Sequence, residues 1–339
     1  MYLINAKLYK NVIQKSVQFC VINFYTMKAI QLTQFGSTDN FQYTDIPVLP
    51  LKDGELRIAV KSLSINPVDA KTRTGKGAAS AFDPSQLMIL GWDVAGIVSE
   101  VAPGVTAFKV GDEVFGMVNF PGRGNAYAEY VIAPAAHIAL KPANITYEEA
   151  AAATLAALTA WQGLVTHEKL QAGQRVLIHA AAGGVGHFAV QIAHQLGAYV
   201  AGTGSPANKD FILSLGADEY IDYTGNNLAH HKGEFDLVLD AIGGDNFLTS
   251  LDLVKPGGSI IQIPRGLPEE HIALAKERGV KAYFFMVQSN GADMQSIATW
   301  LKEGKLKPHV SKVFGFDDIV EAHQQIESGK TKGKIVINL

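Results

Sequence analysis

The sequence predicts an α/β fold in which a β-rich domain is joined to a doubly wound parallel sheet, and three observations carry this prediction. The chain has 339 residues, more than one hydrophobic core usually serves, so we expect two domains. Up to about residue 145, short strand-like runs are separated by Gly, Pro, Asn and Asp. From about residue 146, helical patterns alternate with short apolar strands, which is typical of βαβ units and a parallel sheet.

Composition favours a globular protein that acts on small molecules. Hydrophobic residues make up 47% of the chain, charged residues 18%, and the net charge is −3, which excludes intrinsic disorder. The sequence has no Lys/Arg cluster of the kind that binds nucleic acid or an anionic membrane. No run approaches the ~18 apolar residues of a membrane-spanning helix. We therefore expect neither nucleic acid nor membrane partners.

The first 26 residues differ from the rest of the chain. They are rich in Lys, Asn and Gln, contain no acidic residue, and precede a β-like pattern that opens at Met27. They lack a small-residue cleavage signature, so a secretory signal is not expected. We expect a poorly ordered extension, or an upstream in-frame start. The single cysteine, Cys20, excludes an intramolecular disulfide and favours the cytoplasm.

The strands and helices can be assigned in order along the chain. In the β-rich part, strands are predicted over residues 56–60, 95–100 and 126–132. In the parallel sheet they are predicted over 175–180, 199–203, 220–222, 237–240 and 259–263. Helices at 294–303 and 317–328 lead to an apolar strand at 335–339, which we expect to return to the first domain. The predicted division is an extension (1–26), a split domain (27–148 with 285–339) and an inserted domain (149–284).

The strongest local motif is a Gly-rich turn between a strand and a helix predicted over residues 185–196. Ala181, Gly183 and Gly186 occupy the three positions of G-x-G-x-x-G, with Ala in place of the first Gly. Small residues let the backbone approach a pyrophosphate, whose charge is stabilised by free amides at the helix N-terminus. The turn therefore predicts dinucleotide binding, and its expected contacts are Ala182, Gly183, Gly184, Val185 and Gly186.

The end of the second parallel strand favours NADPH over NADH. An NAD site usually has an acidic residue there to hold the ribose hydroxyls, and this chain has none between residues 199 and 209. The strand ends in Gly202-Thr-Gly-Ser-Pro-Ala-Asn-Lys209 instead, which offers a hydroxyl, an amide and an ammonium to a 2′-phosphate. The expected contacts here are Gly204, Ser205 and Lys209. Lys209 alone could equally be a solvated helix lysine, so the missing acid decides the prediction.

Several ordered motifs together show a resemblance to a known family. They are Asn66-Pro-Val-Asp, Gly91-Trp-Asp-Val-Ala-Gly, Phe108-Lys-Val-Gly-Asp-Glu-Val-Phe-Gly, Tyr127-Ala-Glu-Tyr-Val and Gly333-Lys-Ile-Val-Ile, besides the Gly-rich turn. From Met27 to Leu339 the chain resembles the quinone oxidoreductase or zeta-crystallin branch of the medium-chain dehydrogenase/reductase superfamily. The resemblance implies a GroES-like catalytic domain made from both chain ends, a Rossmann NADP-binding domain between them, and a homodimer.

The resemblance also implies that no metal is used. Zinc-dependent relatives place a Cys and a His in the cleft, because tetrahedral zinc needs thiolate or imidazole ligands. Here the Cys position falls around Asn66 and the His position at Trp92. We therefore expect the zinc-free branch and no alcohol dehydrogenase activity.

The site residues are carried over from the resemblance position by position. Those expected around the cofactor are Thr159, Ser205, Lys209, Tyr223, Ala241, Ile242, Ile263, Arg265 and Lys334. Asn66 corresponds to a substrate-pocket residue and is a candidate catalytic residue together with Asp69 and Lys71. Lys71 stands where the family has Tyr. Asn66 could instead be a turn residue before Pro67, and Asp69 a helix cap or the partner of Arg73.

These observations predict an NADPH-dependent oxidoreductase that transfers hydride to quinones or α,β-unsaturated carbonyls. An oxyanion formed in this way can be stabilised by a hydrogen-bond donor such as the Asn66 amide. The alternative is a non-catalytic NADPH-binding protein, structural or RNA-associated, like some zeta-crystallin relatives. No hydrolase or metalloprotease motif competes with either hypothesis, and His179, inside an apolar strand, is expected to be a core residue.

Overall fold

The computed structural model describes residues 26–225, 227–263 and 265–339. Apart from Thr26, the expected N-terminal extension lies outside the described residues, and so does Cys20. The prediction that this segment is poorly ordered stays a prediction.

The first part of the described chain is β-rich, as the sequence predicts. Its strands are β1 (Thr26–Leu32), β2 (Phe41–Pro47), β3 (Glu55–Ile65), β4 (Asp93–Val101), β5 (Glu113–Met117), β6 (Tyr130–Pro134) and β7 (Ile138–Leu140). A helix, α1 (Pro67–Arg73), begins directly after β3. The strand predicted over residues 126–132 begins later, at Tyr130. The preceding residues are bound to β1 instead, where the Ile30 amide donates to the Tyr127 carbonyl (2.9 Å).

The middle of the chain alternates helices with parallel strands. Helices α2 (Tyr147–Ala152) and α3 (Leu155–Trp161) come first, followed by a π-helical turn at Gln162–His167. The strands are β8 (Arg175–Ile178), β9 (Tyr199–Gly204), β10 (Glu219–Asp222), β11 (Phe235–Asp240), β12 (Val254–Gln262) and β13 (Lys281–Phe284). The helices between them are α4 (Gly184–Gln195), α5 (Lys209–Ser214), α6 (Asn246–Leu253) and α7 (Glu269–Glu277). Each of the five predicted parallel strands overlaps an observed one.

These six strands form one parallel sheet in the order β10-β9-β8-β11-β12-β13. Counted from the first strand of the sheet, this is the order 3-2-1-4-5-6 of dinucleotide-binding Rossmann folds. The order reverses between β8 and β11. Ligands of such sheets bind in the crevice beyond the carboxyl ends of the strands at this point, and the Gly-rich turn directly follows β8.

The last part of the chain returns to the first sheet. Helix α8 (Gly291–Lys302), β14 (Val310–Gly315), α9 (Ile319–Glu327) and β15 (Lys334–Asn338) complete the fold. Strand β15 is antiparallel to β3, with Ile335 opposite Ile65, and parallel to β14. This sheet contains β3 to β7 with β14 and β15, so its seven strands come from both ends of the described chain, whereas β1 and β2 form a separate two-stranded sheet.

The turn before α4 is close-packed because of Gly186. A Cβ atom at this position would lie 2.2 Å from the Ala180 carbonyl oxygen, a backbone atom that cannot move aside. At Gly184, two residues earlier, a Cβ would make an ordinary contact at 3.4 Å with Lys334 Cδ. Gly186 therefore allows α4 to pack against the end of β8.

We predict that Gly186→Ala lowers the free energy of unfolding by roughly 1–3 kcal/mol, the usual cost of overpacking a core. Gly184→Ala is the matched control and should cost less than about 1 kcal/mol, because a helical Ala is favourable and its Cβ has space. Urea unfolding of both variants measures the difference. Equal stabilities would contradict the close packing described for this turn.

Candidate functional site

A cleft of about 1170 Å³ lies between α1 and the carboxyl ends of the parallel strands. Asn66 and Lys71 line it from the first part of the chain, and Thr159 from α3. The other predicted site residues that line it are Val185, Ala241, Ile242, Ile263 and Arg265. The structure thus brings eight of the expected residues together around one cavity.

The dinucleotide turn is shaped for a pyrophosphate. Gly183 has extended backbone before α4, which begins at Gly184 and runs for 12 residues. The first amides of a helix have no intrahelical acceptor, and the helix dipole favours an anion at this end. Gly183, Gly184 and Val185 are partly exposed, whereas Ala182 and Gly186 are buried beneath them. A pyrophosphate therefore fits against the exposed backbone of this turn.

The expected 2′-phosphate residues lie at the ends of two neighbouring strands. Asp222 of β10 is paired with Gly204 of β9, so Tyr223 and Ser205, which follow them, lie side by side. Lys209 is exposed at the start of α5, and Tyr223 is also exposed. The Asp222 carboxylate accepts hydrogen bonds from Thr224, both N–H (2.8 Å) and hydroxyl (2.7 Å). This arrangement offers hydroxyl groups and an ammonium to a phosphate.

A buried polar cluster lies behind the cleft, centred on Asn66. The Asn66 amide nitrogen donates to Asp93 Oδ2 (2.8 Å), and its amide oxygen accepts a short hydrogen bond from the Lys334 ammonium. Lys334 also donates to the Ile65 carbonyl (3.0 Å). Asp93 further accepts from the Leu155 N–H that begins α3 (3.0 Å). Lys334 and Asp93 are 3% and 0% exposed, so these charges are held inside the protein.

Asp69 does not line the cleft, in contrast to its expected catalytic role. It is fully buried, and its carboxylate accepts from the Asn66 N–H (2.8 Å) as a helix cap for α1. Its other oxygen contacts the Tyr127 hydroxyl (3.0 Å), which in turn lies 3.1 Å from His323 Nε2. A helix cap was one of the two alternatives to catalysis for Asp69. The second alternative, a salt bridge with Arg73, is not formed, because Arg73 pairs with Glu327 (2.6 Å).

Burial controls the protonation of this cluster. It raises the pKa of Asp69 to about 7, and the nearby Asp93 carboxylate adds to the shift. Burial also raises the pKa of Asp93, opposed by the Lys334 ammonium, and lowers the pKa of Lys334, opposed by the two carboxylates. The cluster has no net charge when Lys334 and Asp93 are ionised and Asp69 keeps a proton, which is the least costly state in a low-dielectric interior.

Lys334 is engaged differently from the sequence prediction. The resemblance places it among the cofactor-binding residues, but its ammonium hydrogen-bonds Ile65 and Asn66, and only its aliphatic stem lies near Gly184. The register of β15 on β3 explains this contact, because the pairing of Ile335 with Ile65 puts Lys334 next to Asn66.

Three cationic residues line the cleft. They are Lys71, Lys76 and Arg265. Partial burial lowers the pKa of Lys71, and the neighbouring Arg265 guanidinium lowers it further. Glu327, which also lines the cleft, is neutralised by Arg73. The accessible wall of the cleft therefore has a positive potential.

Several residues of this site carry weaker sequence signals. Asp93 and Tyr127 lie within motifs that carry the family resemblance. Asp93 also has a local signal, because an acidic residue between apolar neighbours in a strand indicates a buried polar group. No local pattern identifies His323.

Trp92 packs against Phe82 and Phe120 and donates to the Gly122 carbonyl (2.7 Å), so it is a packing residue. His179 is a buried core residue beside the Thr203 hydroxyl (3.2 Å).

The described residues contain neither a metal-ligand cluster nor a helix that could span a membrane. Within residues 26–225, 227–263 and 265–339, no group of three or more His, Cys, Asp or Glu side chains could hold a metal ion. In the same residues no helix is long and apolar enough to cross a membrane.

We predict that Asp69→Asn changes how stability depends on pH. Because the pKa of Asp69 is raised on folding, the folded state binds its proton more tightly than the unfolded state does. This contribution is complete below the usual pKa of aspartate and is lost as the pH rises through about 7. The asparagine stays neutral, so wild type should lose stability relative to the variant between about pH 4 and pH 7.

Urea unfolding across this pH range measures the effect, and Asp210→Asn, which removes an exposed carboxylate, is the control. A stability difference between wild type and Asp69→Asn that stays constant with pH would contradict the protonation described for the cluster.

Known families match both parts of the fold. Residues 52–143 match the alcohol dehydrogenase GroES-like domain, and residues 215–337 match the zinc-binding dehydrogenase family. Together with the parallel sheet, these matches confirm the predicted combination of a GroES-like and a Rossmann domain.

Individual proteins are similar over nearly the whole chain. A 2-methylene-furan-3-one reductase of Solanum lycopersicum is 35% identical over 324 residues, which cover 92% of this chain and 79% of that protein. A chloroplastic NADPH-dependent alkenal/one oxidoreductase of Arabidopsis thaliana is 34% identical, with the same coverage. The solved structure of the quinone oxidoreductase from Coxiella burnetii superposes with a TM-score of 0.87 at 34% identity, and covers 93% of this chain and 99% of that one. The chain belongs to the medium-chain dehydrogenase/reductase superfamily, in its quinone oxidoreductase branch.

Proposed function

We propose that this protein is an NADPH-dependent reductase that transfers hydride to quinones or α,β-unsaturated carbonyls. One observation carries the proposal: Val185 of the dinucleotide turn and Asn66, which is 1% exposed, line the same cleft. A nicotinamide cofactor whose pyrophosphate lies on the turn can therefore extend toward Asn66. The similar proteins are named as reductases of a methylene-furanone, of alkenals or alkenones, and of quinones.

The chain's own residues supply binding, orientation and electrostatic stabilisation. NADPH, when bound, supplies the hydride from C4 of its nicotinamide ring. Thr159, whose hydroxyl donates to the Leu155 carbonyl (2.7 Å), keeps lone pairs to accept a hydrogen bond from the nicotinamide amide. Ile242, Ile263 and Phe285 give the cleft apolar walls, which limit the access of water to the reacting atoms.

The negative charge that develops on the acceptor oxygen needs hydrogen-bond donors. The Asn66 amide is a neutral donor in the cleft wall, and Lys71 is a cationic one. The lowered pKa of Lys71 makes its ammonium a better proton donor to the reduced product than an ordinary lysine. We propose Asn66 as the oxyanion donor and Lys71 Nζ, or water next to it, as the proton source.

NADPH is the proposed cofactor because of the end of β9. Ser205 and Tyr223 follow the paired ends of β9 and β10, Lys209 begins α5 four residues after Ser205, and the stretch from residue 199 to 209 contains no acid. The proposal depends on the turn for the pyrophosphate and on this group for the choice between the two coenzymes.

We also propose the domain division 27–148 with 285–339 and 149–284, supported by the pairing of β15 with β3.

A homodimer is proposed because β13 lies at the edge of the six-stranded sheet in the described part of the chain, and an edge strand can pair with a second copy. Light scattering of the purified protein distinguishes one chain from two.

A cytoplasmic location is proposed from the single cysteine among 339 residues, and cell fractionation tests it.

The function is tested with purified protein, NADPH and a panel of quinones, alkenals and alkenones, by following the absorbance of the reduced nicotinamide. We expect sustained NADPH oxidation with at least one acceptor, and a reduced ring or a reduced carbon–carbon double bond in the product. Tight NADPH binding without turnover of any acceptor would contradict the proposal and favour the non-catalytic alternative.

We predict that Lys209→Glu weakens NADPH binding at least 10-fold and NADH binding less than 3-fold, because one attractive charge at the 2′-phosphate becomes a repulsive one. Calorimetric titration with each coenzyme measures both affinities. Lys276→Glu, the same change at an exposed position on α7, should alter neither. Equal losses for the two coenzymes would exclude Lys209 from phosphate recognition.

A further inference from the structure

Lys334 occupies an unusual place for a charged side chain. It is 3% exposed, and its ammonium contacts the Ile65 carbonyl at 3.0 Å and the Asn66 amide oxygen at short range. The nearest recorded carboxylate oxygen, Asp93 Oδ2, is further away at 3.9 Å. Burial of an ammonium is costly unless it has partners. The distances indicate that the main partner of Lys334 is the Asn66 amide oxygen, and that its electrostatic interaction with Asp93 is the weaker of the two.

The ammonium fixes the orientation of the Asn66 amide. It has only donors, so it requires the amide oxygen and excludes the flipped amide. The amide nitrogen then lies on the other side, where one of its two hydrogens is donated to Asp93 Oδ2 (2.8 Å). For the second hydrogen, the described part of the chain supplies no recorded acceptor, and Asn66 lines the cleft.

The same contacts strengthen Asn66 as a donor. A positive charge on the amide oxygen polarises the amide and makes its N–H groups more acidic. The carboxylate of Asp93 and the ammonium of Lys334 hold the amide from two sides, so it cannot rotate when substrate enters. A donor that is already oriented stabilises a developing charge without reorganisation.

We propose that Lys334 is a positioning residue for Asn66: it locks the amide so that its second N–H meets the oxyanion of the reduced quinone or enone. This inference rests on the proposed function. It assigns to Lys334 a role in turnover and none in holding the cofactor phosphates.

The test is a double-mutant cycle of Lys334→Met and Asn66→Ala, with kcat and the Kd of NADPH measured for each protein. Lys334→Met alone should lower kcat roughly 10- to 100-fold, the range expected for a misplaced oxyanion donor, and change the Kd of NADPH less than 3-fold. In the Asn66→Ala protein, Lys334→Met should lower kcat no further. Lys330→Met, the same change at an exposed position, is the control.

Two results would overturn the inference. One is an equal loss of kcat from Lys334→Met with and without Asn66. The other is a loss of NADPH affinity of 10-fold or more at unchanged kcat, which would make Lys334 a cofactor ligand. Should Lys334→Met fail to fold, the cycle is repeated in an Asp93→Asn background, which removes the carboxylate that Lys334 balances, and each kcat is then compared with that of Asp93→Asn alone. A wild-type protein that turns over no acceptor would overturn the proposed function itself, and that outcome is distinguishable because the cycle is then never reached.

Discussion

The return of the last strand to the first sheet is the interaction on which the cleft depends. Pairing of Ile335 with Ile65 places Lys334 against Asn66. One residue earlier, the Gly333 N–H donates to the Ala182 carbonyl of the dinucleotide turn (2.8 Å). Gly333 has a φ of 61°, and a Cβ there would lie 2.3 Å from the His309 carbonyl oxygen, so only glycine fits. Two consecutive residues thus connect the turn that can hold the cofactor to the amide that can bind the substrate oxygen.

This connection explains why charged groups are kept in the interior. Two carboxylates and one ammonium without water would destabilise the fold if they were unpaired. Here burial raises the pKa of Asp69 to about 7, which favours its protonated form below that pH, and Asp93 and Lys334 compensate one another across the Asn66 amide. The helix starts of α1 and α3 use the same carboxylates as caps. Asp93, which orients the Asn66 amide, therefore also caps α3, and the neighbouring Asp69 caps α1.

The parts of this site that depend on local sequence could be predicted, and the parts that depend on long-range pairing could not. The dinucleotide turn was predictable because a strand, small residues and a helix occur within about twenty positions. The return of the C-terminal strand followed from its need for a partner sheet. The contact between Lys334 and Asn66 joins residues 268 positions apart, and only the register of β15 on β3 determines it.

Asp69 shows a different limit of sequence reasoning. An acidic residue three positions after Asn66 suits both a helix cap and a catalytic acid, and the pattern alone does not decide between them. The structure supports the cap, because one oxygen of Asp69 accepts from the Asn66 N–H, the other contacts the Tyr127 hydroxyl, and the residue is fully buried. By contrast, the prediction drawn from the missing acid after β9 needs no knowledge of side-chain direction, because it depends only on an absent residue type.

The central claim is that hydride passes directly from the nicotinamide to the acceptor in the cleft beside Asn66. Single-turnover reduction with NADPH deuterated at the transferred C4 position tests it most directly, with the product analysed by mass spectrometry and NMR. With an enone as the acceptor, direct transfer places one deuterium on the β-carbon of the saturated product, where the C–D bond does not exchange with water. A saturated product without deuterium, formed while NADPH is consumed, would contradict direct transfer.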